Sequence, residues 1–522
     1  MCQRRRQSVR GPLRLPEAVD SKFLRQFIVA GWQASSLGYF VKVVMIGSIK
    51  SILPLTVAGL IWRLYNSGGA VDFTSAFNWH ALAELLFFVF YLKHRTQLSR
   101  ERPLSNDYVY PGRDRQEKVC GAGAKQRLKR NLRHMDGVLG KSASKEDRQR
   151  HFLDWFSFRQ DDCHSKAPEH WSELKKENLA DWLAWAFWAR KVEELGAEEE
   201  EEIEQMITLV EEWAGEGGEG GELDGGRNDS LISMRLSIDE IRSAHHPLIH
   251  YLVTHAGCCG AGYVLLKWRG FERKKIGGMV YWRKEGRSGG EGERCPIVFI
   301  SGIGIGLVAY LKLVDRWLEE HPGREIFLVD LPEYSLRFTT SVSILSPLDR
   351  ASALTAMLGG RGAHFVGHSL GSVVISWVIR LAPESVVKAA TFIDPVCFLL
   401  FHSSVAANFV YRPPATPLDC LVSYFVAKEL YVNNALHRHF RWQTNLLDPA
   451  LLEDIKGVSV VLSDHDHYVP SQAVERHLNL EAPKVRTRVL GEHSHAQFCV
   501  LEGTCDVVME EFRFADEATI RN

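Results

Sequence analysis

The sequence predicts an α/β fold over residues 275–515, built as a mostly parallel central sheet flanked by helices. Three observations carry this. Short apolar runs alternate with helical segments through this half of the chain, the pattern of parallel strands joined by right-handed crossovers. One of those runs ends in a GxSxG string directly before a helical segment. A loop rich in histidine separates the last run from a closing helical segment.

Each element follows from its composition. CPIVFIS (295–301) is a continuous apolar run and reads as a buried strand, followed by a helix over 307–319. EIFLVDL (325–331) is a strand, followed by a helix over 349–358. AHFVGHS (363–369) is a strand and LGSVVISWVIRLA (370–382) a helix. KAATFIDP (388–395) and VSVVLSD (458–464) are strands; 471–480 is a helix. KVRTRVL (484–490) is the last strand, and 497–511 the closing helix. Residues 396–450 are too long for a plain connection. Rich in Phe, Leu, Tyr and His, they read as a helical lid over an apolar acyl or alkyl group.

The string Gly367-His368-Ser369-Leu370-Gly371 has a strand before it and a helix after it. A chance match to GxSxG is expected in roughly one chain in five, and this chain holds a second, Gly286-Arg287-Ser288-Gly289-Gly290. Only the first has the strand–turn–helix context, which lifts a serine hydroxyl above the sheet edge and aims a helix N-terminus at it. Ser369 is therefore the candidate nucleophile. It needs a base to take its proton, with an acid to orient that base, in the chain order Ser, Asp, His. Asp466 begins a D-x-x-V-P turn after a strand and is the candidate acid; Asp464, earlier on the same turn, and Asp394, at the end of the preceding strand, are alternatives. His495 heads the segment entering the closing helix and is the candidate base, with His493 the alternative. His465 and His467 read as exposed loop residues. The oxyanion hole needs two backbone donors. Leu370 follows the nucleophile; Ile303 lies in the Ser301-Gly302-Ile303-Gly304-Ile305-Gly306 loop after the first core strand. Its third glycine, and the acidic residue expected about 20 positions on, are not placed as a dinucleotide site requires. This chemistry needs no cofactor and no metal.

The rest of the 522-residue chain is divided by composition. Residues 1–98 combine a basic N-terminus with apolar stretches at 43–62 and 76–92, and membrane association is expected through 27–92. Lys50 and Pro54 interrupt the first stretch, His80 and Glu84 the second. Residues 99–150 read as a polar, basic linker, 151–213 as a helical region with Trp182, Trp185 and Trp188 in its core, 214–230 as a Gly/Glu-rich linker, and 231–274 as a connecting helical segment. The formal net charge of -1 gives no global field toward nucleic acid. The basic run at 125–133 has no interleaved aromatics, so no nucleic-acid partner is expected. The ten cysteines show no CxxC pair, which points to mostly buried thiols in a reducing compartment and a cytoplasmic catalytic part. Asn228-Asp229-Ser230 matches a glycosylation sequon that this compartment would leave unused.

These stretches together resemble fungal α/β-hydrolases with a membrane-proximal N-terminal region. The resemblance rests on the 302–306 loop after VFIS, LVDLP, FVGHSLGS, FIDPVCFLL with NFVYR, KELYVNNALHRHFRWQTNLL, VVLSDHDHYVP and HAQF. It implies the α/β-hydrolase fold, a Ser-His-Asp triad and an N-terminal helical region, and names no substrate. Ser301 stands where many relatives carry histidine, and residues 105–150 look unlike the family. The resulting expectation is hydrolysis of a lipophilic acyl ester; acyl transfer by the same triad, and a catalytically inactive binding or scaffold protein, are the alternatives.

Overall fold

The computed structural model describes residues 44–69, 72, 74–100, 114–121, 123–140, 142–160, 163–164, 166–215, 220–287, 294–337, 344–414 and 416–520. The basic N-terminus, the apolar residues 27–43, and Ser288 of the second GxSxG string lie outside them. In the N-terminal half, β1 (Phe156–Gln160), β2 (Cys163–His164) and β3 (Leu231–Ser233) form a small antiparallel sheet in the order β2-β1-β3. The main sheet has eight strands: β4 (Glu272–Ile276), β5 (Met279–Lys284), β6 (Ile297–Ile300), β7 (Ile326–Val329), β8 (Ala363–His368), β9 (Val387–Ile393), β10 (Gly457–Ser463) and β11 (Arg486–Leu490). Their order is β11-β10-β9-β8-β6-β7-β5-β4, parallel from β11 to β7 and antiparallel at β5 and β4. Every residue of β6, β7, β8 and β10 is buried, as parallel strands covered on both faces require. This is the α/β-hydrolase fold.

The six core strands and the helices between them lie where the apolar runs place them. The antiparallel pair β4–β5 escapes the sequence reading, because ERKKI is an exposed edge strand dominated by charge. The three-stranded β2-β1-β3 sheet is likewise a correction, to a helical 151–213 for β1 and β2 and to a connecting helical segment 231–274 for β3.

The linker expected over 99–150 is also corrected. Ala124–Leu139 and Lys145–Leu153 are helices. Leu128, Leu132, Met135 and Val138 of the first are buried in the main core; their i, i+4, i+7, i+10 spacing is an amphipathic stripe hidden among basic residues. Arg130 pairs with Asp448 below the lid at 2.9 Å. Residues 220–230 of the Gly/Glu-rich stretch pack on the same body. Leu223 is buried, and the Gly221 carbonyl accepts the Trp171 indole N–H at 2.9 Å. Trp182 and Trp185 are core residues, as expected.

Gly47–Asn66 and Ala76–Arg100 are helices packed on each other. Lys50 is not stranded in an apolar span, since its ammonium lies over the Tyr424 ring at 5.3 Å. Glu84 is buried and accepts the Leu248 and Ile249 N–H groups at 2.9 and 3.4 Å, capping the helix that begins there. Among the described residues the two helices long and apolar enough to cross a bilayer are 44–66 and 248–268. The second apolar helix is thus not 76–92, whose buried polar groups belong to intramolecular packing. It comes from the segment read only as a connection.

Candidate active site

The site is assembled where β8 turns into the Gly371–Leu381 helix. Ser369 occupies the turn with φ 50°, a left-handed conformation that a non-glycine residue adopts only when its surroundings impose it. The Ser369 N–H bonds the Ile393 carbonyl of β9 at 2.9 Å, and its carbonyl accepts the Ser372 hydroxyl at 2.6 Å. The flanking glycines are required by crowding. A Cβ on Gly367 would stand 2.6 Å from Ile375 Cδ1, and one on Gly371 would stand 2.9 Å from the Ile300 carbonyl carbon. Gly371→Ala is expected to push the helix off β6 and lower stability by about 1–3 kcal/mol, read as a shifted midpoint in urea denaturation.

His495 Nε2 faces Ser369 Oγ at 3.0 Å, and His495 Nδ1 faces Asp466 Oδ2 at 2.6 Å. Asp466 is fixed by the Tyr468 and Val469 N–H groups on its other oxygen, at 2.7 and 3.0 Å. The D-x-x-V-P turn therefore aims the carboxylate at the imidazole. Burial alone would lower the His495 pKa. The Asp466 charge and hydrogen bond, with Asp394 nearby, outweigh it and raise the imidazole to about 9.

The alternatives are drawn into the scaffold. Asp394, at φ 43°, accepts the Ser463 N–H at 2.9 Å and the Ala496 N–H at 3.1 Å. It thereby holds the backbone on the C-terminal side of His495, and burial pushes its carboxyl up to about 6. Asp464 accepts the His493 N–H at 3.1 Å. The His493 ring is spent on the Gly491 carbonyl at 2.6 Å and Thr504 at 2.8 Å. His465 and His467 are exposed as expected, yet both line the cavity over Ser369. His467 also pairs with Asp419 of the lid at 3.1 Å.

Two residues that sequence reasoning passed over organise the oxyanion loop. The Tyr310 hydroxyl accepts the Gly302 N–H at 3.1 Å and shares a hydrogen bond with His368 Nδ1 at 2.8 Å. Burial keeps His368 neutral, its pKa far below the usual imidazole range. Tyr310 lay in a predicted helix and His368 inside GxSxG, so only their tertiary meeting gives them this role. Gly304 donates to the Tyr334 carbonyl at 3.0 Å. With Gly302 and Gly304 engaged, the Ile303 N–H between them has no hydrogen-bond partner among the described residues, nor has that of Leu370. Both residues line the cavity with Ser369 and His495. Ser301 is buried.

The cavity measures about 280 Å³. Its apolar wall includes Leu400, Val405, Leu418, Val422, Val426 and Phe440. Leu418, Val422 and Val426 fall on one face of the lid segment at i, i+4, i+8. His368, Asp394 and His495 bring their ligand atoms within 4.8 Å of one another, the geometry of a possible metal cluster. Apart from His368 Nε2, which is buried without a hydrogen-bond partner among the described residues, their donor atoms bond Tyr310, Ser463, Ala496, Asp466 and Ser369.

No family model matches the chain, and no curated protein matches it. Solved structures do. A bacterial membrane phospholipase A aligns at 17% identity over 51% of this chain and 94% of its own, with a TM-score of 0.36. An esterase from Rhodococcus aligns at 15% identity over 48% of this chain and 99% of its own, with a TM-score of 0.34. A carboxylesterase from Bacillus subtilis aligns at 15% identity over 51% of this chain and 98% of its own, with a TM-score of 0.35.

Proposed function

We propose that this chain is a serine hydrolase that cleaves a lipophilic acyl ester through an acyl-enzyme. One observation carries the reading: Ser369, His495 and Asp466 form a continuous hydrogen-bonded line under an apolar cavity. In the reaction His495 takes the Ser369 proton as Oγ attacks the ester carbonyl, and Asp466 stabilises the imidazolium that forms. The Leu370 and Ile303 N–H groups receive the charge developing on the carbonyl oxygen. His495 returns the proton to the departing alcohol. A water, deprotonated by the same imidazole, then releases the acid. The apolar lid wall supports an acyl chain as the group bound.

Cys259, Cys295, Cys397, Cys420, Cys499 and Cys505 are free thiols, which supports a reducing compartment and a cytoplasmic catalytic part. The quoted motifs and the N-terminal apolar helices support grouping the chain with the membrane-proximal fungal hydrolases its sequence resembles.

A fluorophosphonate probe tests the activity. The expected result is covalent labelling of the folded wild-type chain and none of Ser369→Ala. Folded wild type that resists the probe would favour a binding or scaffold role.

A further inference from the structure

We infer that three apolar helices seat the enzyme on an anionic lipid bilayer, which forms the surface beside the cavity entrance and supplies acyl substrate to it. The helices are 44–66, Ala76–Arg100 and 248–268. The inference rests on the hydrolase reading for the substrate, and on the surface itself for the docking.

Exposure is the first observation. Most of the large hydrophobic side chains exposed among the described residues lie on these three helices. Leu55 is 68% exposed, Leu86 61% and Val253 64%, and Trp62, Val264 and Trp268 are also exposed. Ala76–Arg100 packs against both of the others, so the three form one surface. A contiguous apolar surface of this kind is not left to water in a stable monomer.

Charge names the occupant. The three helices carry Lys50, Arg63, Lys93, Arg95, Arg100 and Lys267 against a single acid, Glu84, and Glu84 is buried. The whole chain has a formal net charge of -1, so this excess of cations is local. Apolar faces edged with lysine and arginine suit an anionic headgroup layer over hydrocarbon. At 1.5 Å per residue, the 23 residues of helix 44–66 extend about 35 Å, comparable to a bilayer core.

Position ties the surface to the site. Ile46 packs with Cys420 and Tyr424 on one face of the lid segment, whose opposite face presents Leu418, Val422 and Val426 to the cavity. Helix 248–268 leans on the other wall. Its Gly262 sits against Val308, just past the oxyanion loop, and its Tyr263 ring meets Trp282 at 5.3 Å. The apolar surface thus touches both the lid and the turn Gly306–Tyr310 that follows the Ile303 loop. An acyl ester leaving the bilayer there need not cross bulk water to reach Ser369.

The test uses the full chain and the double variant Val253→Asp/Val264→Asp, with Val253→Leu/Val264→Leu as control. Residues 253 and 264 are both exposed and flank the π-helical stretch Ala256–Ala261 of this helix. The probes are vesicles of phosphatidylcholine with phosphatidylserine, vesicles of phosphatidylcholine alone, a long-chain acyl ester embedded in either, and a water-soluble acetate ester. Expected are flotation of wild type with anionic vesicles, weaker flotation with neutral ones, and loss of both with the Asp pair. Hydrolysis of the embedded ester falls at least about tenfold with the Asp pair, while acetate hydrolysis and fluorophosphonate labelling stay at wild-type level. The Leu pair behaves as wild type. Unchanged flotation and embedded-ester hydrolysis by an Asp pair that still labels would overturn the inference. So would a wild type whose face is covered by a second copy, seen as a dimer that the Asp pair dissociates. Failure of labelling in wild type would instead remove the hydrolase reading and leave flotation to judge the docking alone.

Discussion

Replacing Ser369 by alanine is expected to lower kcat by about a million-fold, and replacing His495 by alanine by a similar factor. The double replacement should cost little more than either single one. In the proposed mechanism the two groups act as one unit: with no hydroxyl there is nothing for the imidazole to deprotonate, and with no imidazole the hydroxyl at 3.0 Å keeps its proton. What survives comes from the Ile303 and Leu370 amides and from binding. The measurement is steady-state hydrolysis of a soluble short-chain ester by freshly purified protein, with the secondary-structure spectrum confirming the fold. Multiplicative losses, or a Ser369→Ala activity above about a hundredth of wild type, would place the nucleophile elsewhere.

The second large effect separates two buried carboxylates. Asp466→Asn is expected to cut kcat by about ten-thousand-fold, because an amide facing His495 Nδ1 at 2.6 Å favours the wrong imidazole tautomer. Asp394→Asn should cost far less activity and chiefly stability, about 1–3 kcal/mol, since its partners are the Ser463 and Ala496 backbone N–H groups. The pH profile gives an independent reading. The reactive form of His495 is neutral, so a pKa raised to about 9 moves the rising limb of kcat/KM to the alkaline side. Removing the Asp466 charge takes away the interaction that holds the proton. The limb should then shift acidward, toward the ordinary histidine value of about 6.5. A larger loss from Asp394→Asn than from Asp466→Asn would make Asp394 the orienting acid.

Much of the site was legible because its chemistry is local. The Ser369 turn needs small neighbours on either side, so GxSxG in a strand–turn–helix context is written within five positions. The Asp466 turn is similar: its carboxylate binds amides two and three residues ahead, and D-x-x-V-P is the trace of that geometry. Strands β6, β7, β8 and β10 announced themselves because burial on both faces leaves largely apolar runs.

Other features left weaker traces. The amphipathic stripe at Leu128, Leu132, Met135 and Val138 was present but obscured by the lysines and arginines that solvate its other face. Edge strand β4 is charged because its outer side meets water, so it carries no apolar signature. Helix 248–268 contains Gly257, Gly260 and Gly262, and its apolar character is diluted below what a quick reading registers.

By itself, the sequence determined the order of core strands and helices, the elbow serine and the aspartate and histidine loops around it, since each depends on neighbours a few positions away. Only the tertiary structure decided that Asp394 bonds Ser463 and Ala496, that the His493 ring bonds Gly491 and Thr504, that Tyr310 meets Gly302 and His368, and that Glu84 caps a distant helix. It also decided which apolar helices are exposed among the described residues. The reason is one of range: backbone strain and periodicity are local and leave a pattern in adjacent residues, whereas a side-chain contact between separate elements, such as Tyr310 with His368 or Glu84 with Leu248, exists only once the chain has closed on itself.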